Sequence, residues 1–269
     1  MNVNFGKTAT DYATHRAGFP LSFFERLTTF DIGLPDQQIV DLGTGTGTLA
    51  RGFAQQGSNV IGIDPAESML ESARELSKVE SIDVAYRVGK AEETGLPDAC
   101  ADVVTAGQCW HWFDRPAAIA EVKRILRPNG KLVIAHFDWI PLPGNVVAAT
   151  EALIIKHNPA WEFHSGCGVH PQWVRDVSEA GFSGVETFSY DVDALYTHES
   201  WRGRIRASAG VAASLAPEQV AVFDAELAEL LAHDFPEARS ESGTAVMGVH
   251  HRVFAVIGVI GVNAEGNSR

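Results

Sequence analysis

Two aspartates stand at the ends of short apolar runs, and each suits a distinct kind of binding chemistry. Asp41 lies among Ile39, Val40 and Leu42, two residues ahead of a turn in which Gly43, Gly45 and Gly47 alternate with Thr44, Thr46 and Thr48. A carboxylate there repels a pyrophosphate but can hold an amine, directly or through water. Asp64 ends the run NVIGI at 59–63. An acid at the tip of a second strand is placed to accept hydrogen bonds from both hydroxyls of a ribose. A third candidate is His111, inside GQCWHWFD at 107–114. An imidazole there can serve as general base or touch a substrate, although a histidine among aromatic residues also packs as ordinary structure. His15, in DYATHR at 11–16, is the second candidate base.

The elements that must position these groups alternate along the chain. Residues 39–42 read as a buried parallel strand running into the glycine turn, and 49–56 as the helix that follows. Glycine permits positive φ and close approach of the main chain to a ligand, at a helix start where N–H groups are exposed. The dinucleotide fingerprint G-x-G-x-x-G has a third glycine where this chain has Thr48; the pattern here is D-x-G-x-G-x-G. A strand-to-helix turn without a ligand is the plain alternative. Further strands are expected at 83–88, 101–106, 131–136, 182–192 and 249–259. Helices are expected at 21–30, 65–76, 115–126, 146–155, 171–180, 199–213 and 217–233.

These motifs resemble those of class I S-adenosylmethionine (SAM) dependent methyltransferases. The stretch from Asp41 to Gly47 is similar to the family's motif I, Asp64-Pro65 followed by Met69 to motif II, and Ala91-Glu92 to its third motif. The run His111, Trp112, Phe113 and the R-P-N-G turn at 127–130 resemble small-molecule enzymes of the type 11 methyltransferase domain, those related to trans-aconitate methyltransferase. The resemblance implies an α/β fold: a Rossmann-like doubly wound sheet of seven strands, the last antiparallel, with helical cap insertions. It implies SAM as cofactor and S-adenosylhomocysteine as its product. Cofactor contacts would come from Asp41, Gly43, Thr44, Gly45, Gly47, Asp64, Pro65 and Met69, with Ala91 and Glu92 at the adenine and Gln108 near the sulfonium. Tyr12 and Arg16 belong to an N-terminal segment of the kind that closes over the ligand, Arg16 being placed to clamp its carboxylate.

Composition narrows the field further. The chain has 269 residues, 45% of them hydrophobic, and no marked linker; we expect a single domain over 1–269, with a helical lid at 1–30 and caps at 137–170 and 193–240. Acidic residues outnumber basic ones 34 to 21, a net charge of −13, which opposes nucleic acid as a partner. Three cysteines without C-x-x-C spacing suit a reducing compartment and argue against structural zinc. Within the cap loop 158–170, His164, Cys167 and His170 lack a second ligand cluster, and no metal is expected. Trp161 and Phe163 of the same loop are expected over the ligand. The longest apolar run, 253–262, is too short to span a bilayer, and the opening ten residues are polar. The expectation is a cytoplasmic monomer or homodimer that methylates O, N or C of a small molecule. An NAD-dependent oxidoreductase, and a SAM-binding protein catalysing another reaction or only sensing its ligand, remain the alternatives. Arg202, Arg204 and Arg206 either bind an acidic substrate or are merely solvated.

Overall fold

A computed structural model describes residues 18–240 and 243–261. The central sheet has strand order β3-β2-β1-β4-β5-β8-β6. Its strands are β1 (Gln38–Leu42), β2 (Asn59–Asp64), β3 (Ala85–Val88), β4 (Ala101–Gly107), β5 (Leu126–Trp139), β6 (Phe182–Tyr196) and β8 (Ala245–Ile260). The two-residue β7 (Ala238–Arg239), which sequence reasoning did not anticipate, pairs antiparallel with β8 and makes the sheet eight-stranded. β1 pairs in parallel with β2 and β4, β2 with β3, and β4 with β5. The last strand is the antiparallel one, as the resemblance implied. The order reverses on the two sides of β1, so the carboxyl ends of β1, β2 and β4 border one crevice.

Eight helices are seen among the described residues: α1 (Leu21–Thr28), α2 (Thr48–Gln55), α3 (Glu67–Glu80), α4 (Arg115–Ile125), α5 (Val146–His157), α6 (Pro171–Glu179), α7 (His198–Arg206) and α8 (Pro217–Asp234). Several helix ends have a local cause. Asp114 and Asn145 accept hydrogen bonds from the N–H groups of Ala117 and Ala148 at the N-caps of α4 and α5. Thr197 and Ser200 form a reciprocal capping box on α7. Glu67 and Lys78 sit at the ends of α3 that match the helix dipole.

Several boundaries differ from expectation. α7 stops at Arg206 instead of continuing to 213, because the next residues close turns, Ala212 N–H donating to the Arg206 carbonyl, while Trp161 presses on Gly210. β5 starts at Leu126 and absorbs the expected turn: Asn129 takes φ +64° and a register shift between Ala101 and Val103 accommodates the kink. α3 starts at Glu67, two residues later than expected, which leaves Pro65 in the loop.

The chain forms two compact units. Of the described residues, one comprises Gly18–Phe137, His170–Ser189 and 253–261; the other contains Asp138–Val169 and those of 190–252. In the first, α1 buries Phe23, Phe24 and Leu27, and Phe24 meets Phe53 of α2 edge-on at 5.2 Å. Each such ring contributes roughly 1.5–3 kcal/mol of burial. In the second, Trp201 is fully buried, its Nε1 donating to Thr150 Oγ1 at 3.1 Å, with Trp139 and Tyr196 packed edge-on to it. No described helix is long and apolar enough to cross a membrane.

Gly52 of α2 tests the packing in the first unit. A Cβ there would lie 2.1 Å from Phe24 Cζ. Helix propensity alone favours alanine by about 1 kcal/mol, whereas overpacking costs about 1–3 kcal/mol. Gly52→Ala should therefore lower the urea unfolding midpoint; a raised midpoint would show that the Phe24 ring yields freely.

Candidate active site at the carboxyl ends of β1, β2 and β4

The glycine turn after β1 is shaped for three different reasons. Gly43, Gly45 and Gly47 all have positive φ, at 61°, 56° and 77°. A Cβ on Gly43 would meet Cys109 Sγ at 2.8 Å, and one on Gly47 would meet the Tyr86 hydroxyl at 2.3 Å. At those two glycines the space a side chain would take is filled by the protein's own side chains. At Gly45 the nearest neighbour of a Cβ is Met69 Cε at 3.5 Å, an ordinary contact. The open part of the cradle is therefore at Gly45.

Both acids are buried, and in different ways. Asp41 is 2% exposed and accepts a hydrogen bond from Thr105 Oγ1 at 2.7 Å across the β1–β4 pair. Burial pushes its pKa up to about 6, against the Thr105 hydrogen bond, which pulls it down. The Thr44 hydroxyl also draws it down by proximity, yet Thr44 Oγ1 is buried without a hydrogen bond of normal geometry. Asp41 thus lies sealed beneath the turn, held by a residue that sequence reasoning did not single out. Asp64 is 9% exposed, with its Oδ2 accepting from Gly45 N–H and its Oδ1 from Ala66 N–H, both at 2.9 Å. Burial raises its pKa while the two N–H groups oppose the rise. Each oxygen keeps a lone pair for a further donor.

The remaining expected residues fall around the same edge. Met69, buried on the first turn of α3, reaches Gly45, and Pro65 lies between β2 and that helix. Ala91 is buried at 4%, while Glu92 already accepts a hydrogen bond from Asp114 N–H at 2.9 Å. Their loop is pinned by Glu121, whose Oε1 accepts from the Thr94 N–H at 2.8 Å and the Thr94 hydroxyl; Arg124 beside Glu121 holds its carboxyl down at about 2. Gln108, the residue after β4, takes φ +62°, rare for a residue with a side chain, and its N–H donates to the Ala135 carbonyl at 2.8 Å. Strain of that kind gathers at working sites. In sequence it was the resemblance to the methyltransferases that singled Gln108 out.

The aromatic peptide divides its labour. Trp110 is fully buried, its Nε1 donating to Asp176 at 3.0 Å, and Phe113 packs against Gly43. His111 and Trp112 are exposed, their rings 4.6 Å apart. His111 lies 5.7 Å from the ring of His136, which is 4.7 Å from His170, itself stacked on Trp173 at 4.0 Å. His136 was missed, since one histidine in an apolar strand carries no signal until its neighbours are known. Tyr12, His15 and Arg16 lie outside the described residues.

In the second unit Trp161 is buried against Gly210, while Phe163 is 59% exposed, so the two do not form a matched pair. His164 contacts Ser165 and Cys167 contacts the Val169 carbonyl. Two clefts at the amino ends of strands, about 620 Å³ beside Gln38, Asn59 and Asp83 and about 340 Å³ beside Asp31, Asp102 and Lys131, are on the wrong edge of a parallel sheet for ligand chemistry.

The donor set at the carboxyl edge suits a ligand with a cationic amine and vicinal hydroxyls. It has an open backbone cradle at Gly45, two acids beside it, an orphaned hydroxyl at Thr44 and small or apolar groups at Met69 and Ala91. A pyrophosphate would meet two carboxylates there.

Comparison with known proteins agrees with this geometry. Residues 40–134 match the methyltransferase domain model. An uncharacterized methyltransferase of Mycobacterium tuberculosis (strain ATCC 25618 / H37Rv) is 34% identical over 153 residues, 55% of this chain and 60% of the relative. The chain thus spans about 60% of the length of the curated relatives it matches first. Among solved structures, a candidate type II methyltransferase of Anaeromyxobacter dehalogenans superposes with TM-score 0.65 at 22% identity, over 91% of this chain and 98% of its own. The Haemonchus contortus phosphoethanolamine N-methyltransferase 2 in complex with SAM gives TM-score 0.53 at 18% identity, over 96% and 57%. Domain match and relatives agree that residues 40–134 are those of a methyltransferase domain, and the solved structures share the fold around it.

Proposed function

We propose that this protein transfers a methyl group from SAM to oxygen, nitrogen or carbon of a small molecule. The observation that carries this reading is the Gly45 cradle, open to a ligand and tied to the Asp64 carboxylate at 2.9 Å. Asp64, with a spare lone pair on each oxygen, would take the ribose hydroxyls, and Met69 and Ala91 would flank the adenine. Glu92, keeping one oxygen beyond its bond to Asp114, would accept from the exocyclic amine. Asp41 supplies negative charge beneath the aminoacyl end, with Gly43, Thr44 and Gly47 shaping the turn and Pro65 setting the start of α3. Gln108, fixed at the end of β4, would face the sulfonium. SAM, when bound, supplies an electrophilic methyl on a positive sulfur.

The protein's task is then alignment and exclusion of water. An acceptor that carries a proton needs a base, and His111, exposed beside Trp112, is the described residue best placed for it, His15 being the second candidate. Tyr12 and Arg16 complete the reading as part of a lid over 1–30, and segments 137–170 and 193–240 as caps that select the acceptor within one domain. We place the protein in the cytoplasm, as a monomer or homodimer without nucleic-acid or membrane partners, in keeping with three thiols and the acidic net charge.

Calorimetric titration with SAM and with NAD separately tests the reading: SAM heat without NAD heat is expected, and the reverse would overturn it. Asp64→Ala should weaken SAM binding about 10- to 100-fold, roughly 1.4–2.7 kcal/mol, as a buried charge-assisted acceptor is lost; unchanged affinity would remove Asp64 from the site.

Asp41 makes a pH prediction. Its folded pKa, about 6, is raised above the unfolded 3.8, so its contribution to stability is full below about pH 4 and lost as pH rises through about 6. Without ligand, Asp41→Asn should flatten this fall in a series of thermal melts. With ligand the sign reverses, because a cation prefers the ionised acid: SAM affinity should rise through the same window in the wild type and stay flat in Asp41→Asn. His111→Gln should lower turnover on a protonated acceptor about 10²- to 10⁴-fold with little change in SAM affinity; full turnover would exclude His111 as base.

A further inference from the structure

Three arginines alternate along α7, and the fold treats them in two ways. Arg202 and Arg206, four residues apart on one helix face, both pair with Asp224 of α8 and with Glu199 on their own first turn. That cluster sets two cations against two anions and belongs to the packing of α7 on α8. Arg204 projects from the opposite face, and its guanidinium lies over the Trp139 ring, 4.7 Å from the centroid. No carboxylate of the described residues pairs with it. The residue keeps some exposure, yet its charged end is enclosed, and desolvation lowers its pKa while Tyr196 and Asp138 support the charge.

The surroundings are aromatic. Trp201 meets Trp139 edge-on at 5.5 Å and Tyr196 at 5.2 Å, and Tyr196 stacks with His251 at 6.0 Å. His251 is paired with the Val249 carbonyl at 2.7 Å, and burial pulls its pKa down to about 4, so it adds no positive charge near neutrality. An arginine stays protonated in a protein, so a full charge is held here. A cation–π contact recovers only part of what desolvating a lone guanidinium costs. The adjacent Asp224 shows that this helix pair can supply a counter-ion where structure alone needs one.

We propose that Arg204, walled by Trp139, Trp201 and Tyr196, is a binding site in the second unit for the carboxylate of an apolar or aromatic organic acid. The planar fork of a guanidinium matches a carboxylate with two parallel hydrogen bonds. A single cation balances a monoanion and leaves a phosphate dianion half compensated in an aromatic setting. The site stands on these contacts alone and is independent of the function proposed above.

Tryptophan fluorescence titrated with phenylacetate, phenylacetamide and phenyl phosphate tests the site, with SAM calorimetry on the same samples. Wild type should bind phenylacetate saturably, phenyl phosphate more weakly and phenylacetamide not at all. Arg204→Gln should lose about tenfold or more in phenylacetate affinity, Arg204→Lys should recover part of it, and Arg202→Gln should bind as wild type. Arg204→Met, freed of a buried charge that no carboxylate of the described residues bridges, should melt higher than wild type without the acid. Failure of wild type to bind phenylacetate, equal binding by Arg204→Gln, tighter binding of phenyl phosphate, or a lower melting point for Arg204→Met would each overturn the proposal. Because SAM is titrated separately, loss of SAM binding would strike only the methyl-transfer reading.

Discussion

A carboxylate removed from water must be given donors, and in this protein that requirement shapes the site. Asp64 is nearly buried, and its two oxygens are satisfied by the N–H groups of Gly45 and Ala66, which belong to different loops. One side chain therefore fixes the turn after β1 against the start of α3. Neither N–H could be shared this way were β1 and β2 not in register, Leu42 beside Ile63. The geometry of the cradle follows from charge desolvation as much as from glycine flexibility.

Asp41 shows the opposite solution. Its main partner is the hydroxyl of Thr105, a neutral donor, and burial outweighs that donor so that its pKa approaches neutrality. The two acids, on adjacent strands, are therefore held differently: Asp64 by two backbone donors, Asp41 chiefly by the Thr105 hydroxyl. A cation arriving at the turn would do for Asp41 what the protein leaves undone.

The same economy of space governs the rest of the edge. Gly43 and Gly47 are spent on Cys109 and Tyr86, Gly107 lets Leu49 pack on the end of β4, and Trp110 is spent on Asp176. What remains accessible is small: the face of Gly45, the exposed His111 and Trp112, and the strained Gln108. On α7 the division is by helix face, paired arginines on one side and an enclosed one on the other.

Much of this was legible in sequence because it depends on local order. Strand and helix alternation, the D-x-G-x-G-x-G turn and Asp64 at a strand tip follow from periodicity and from residues whose backbone preferences are strong. Boundaries at 126, 206 and 245 were not, because they depend on partners far along the chain: β8 and β6 extend by pairing, and α7 ends where Trp161 meets Gly210. Sequence by itself determined which residues could bind a nucleoside and in what order the elements carry them. Only the tertiary structure decided which glycines are filled by the protein's own side chains, which acid is held by backbone donors, and which of three arginines has no ion pair among the described residues, because each is a matter of distance between groups that the chain brings together from far apart.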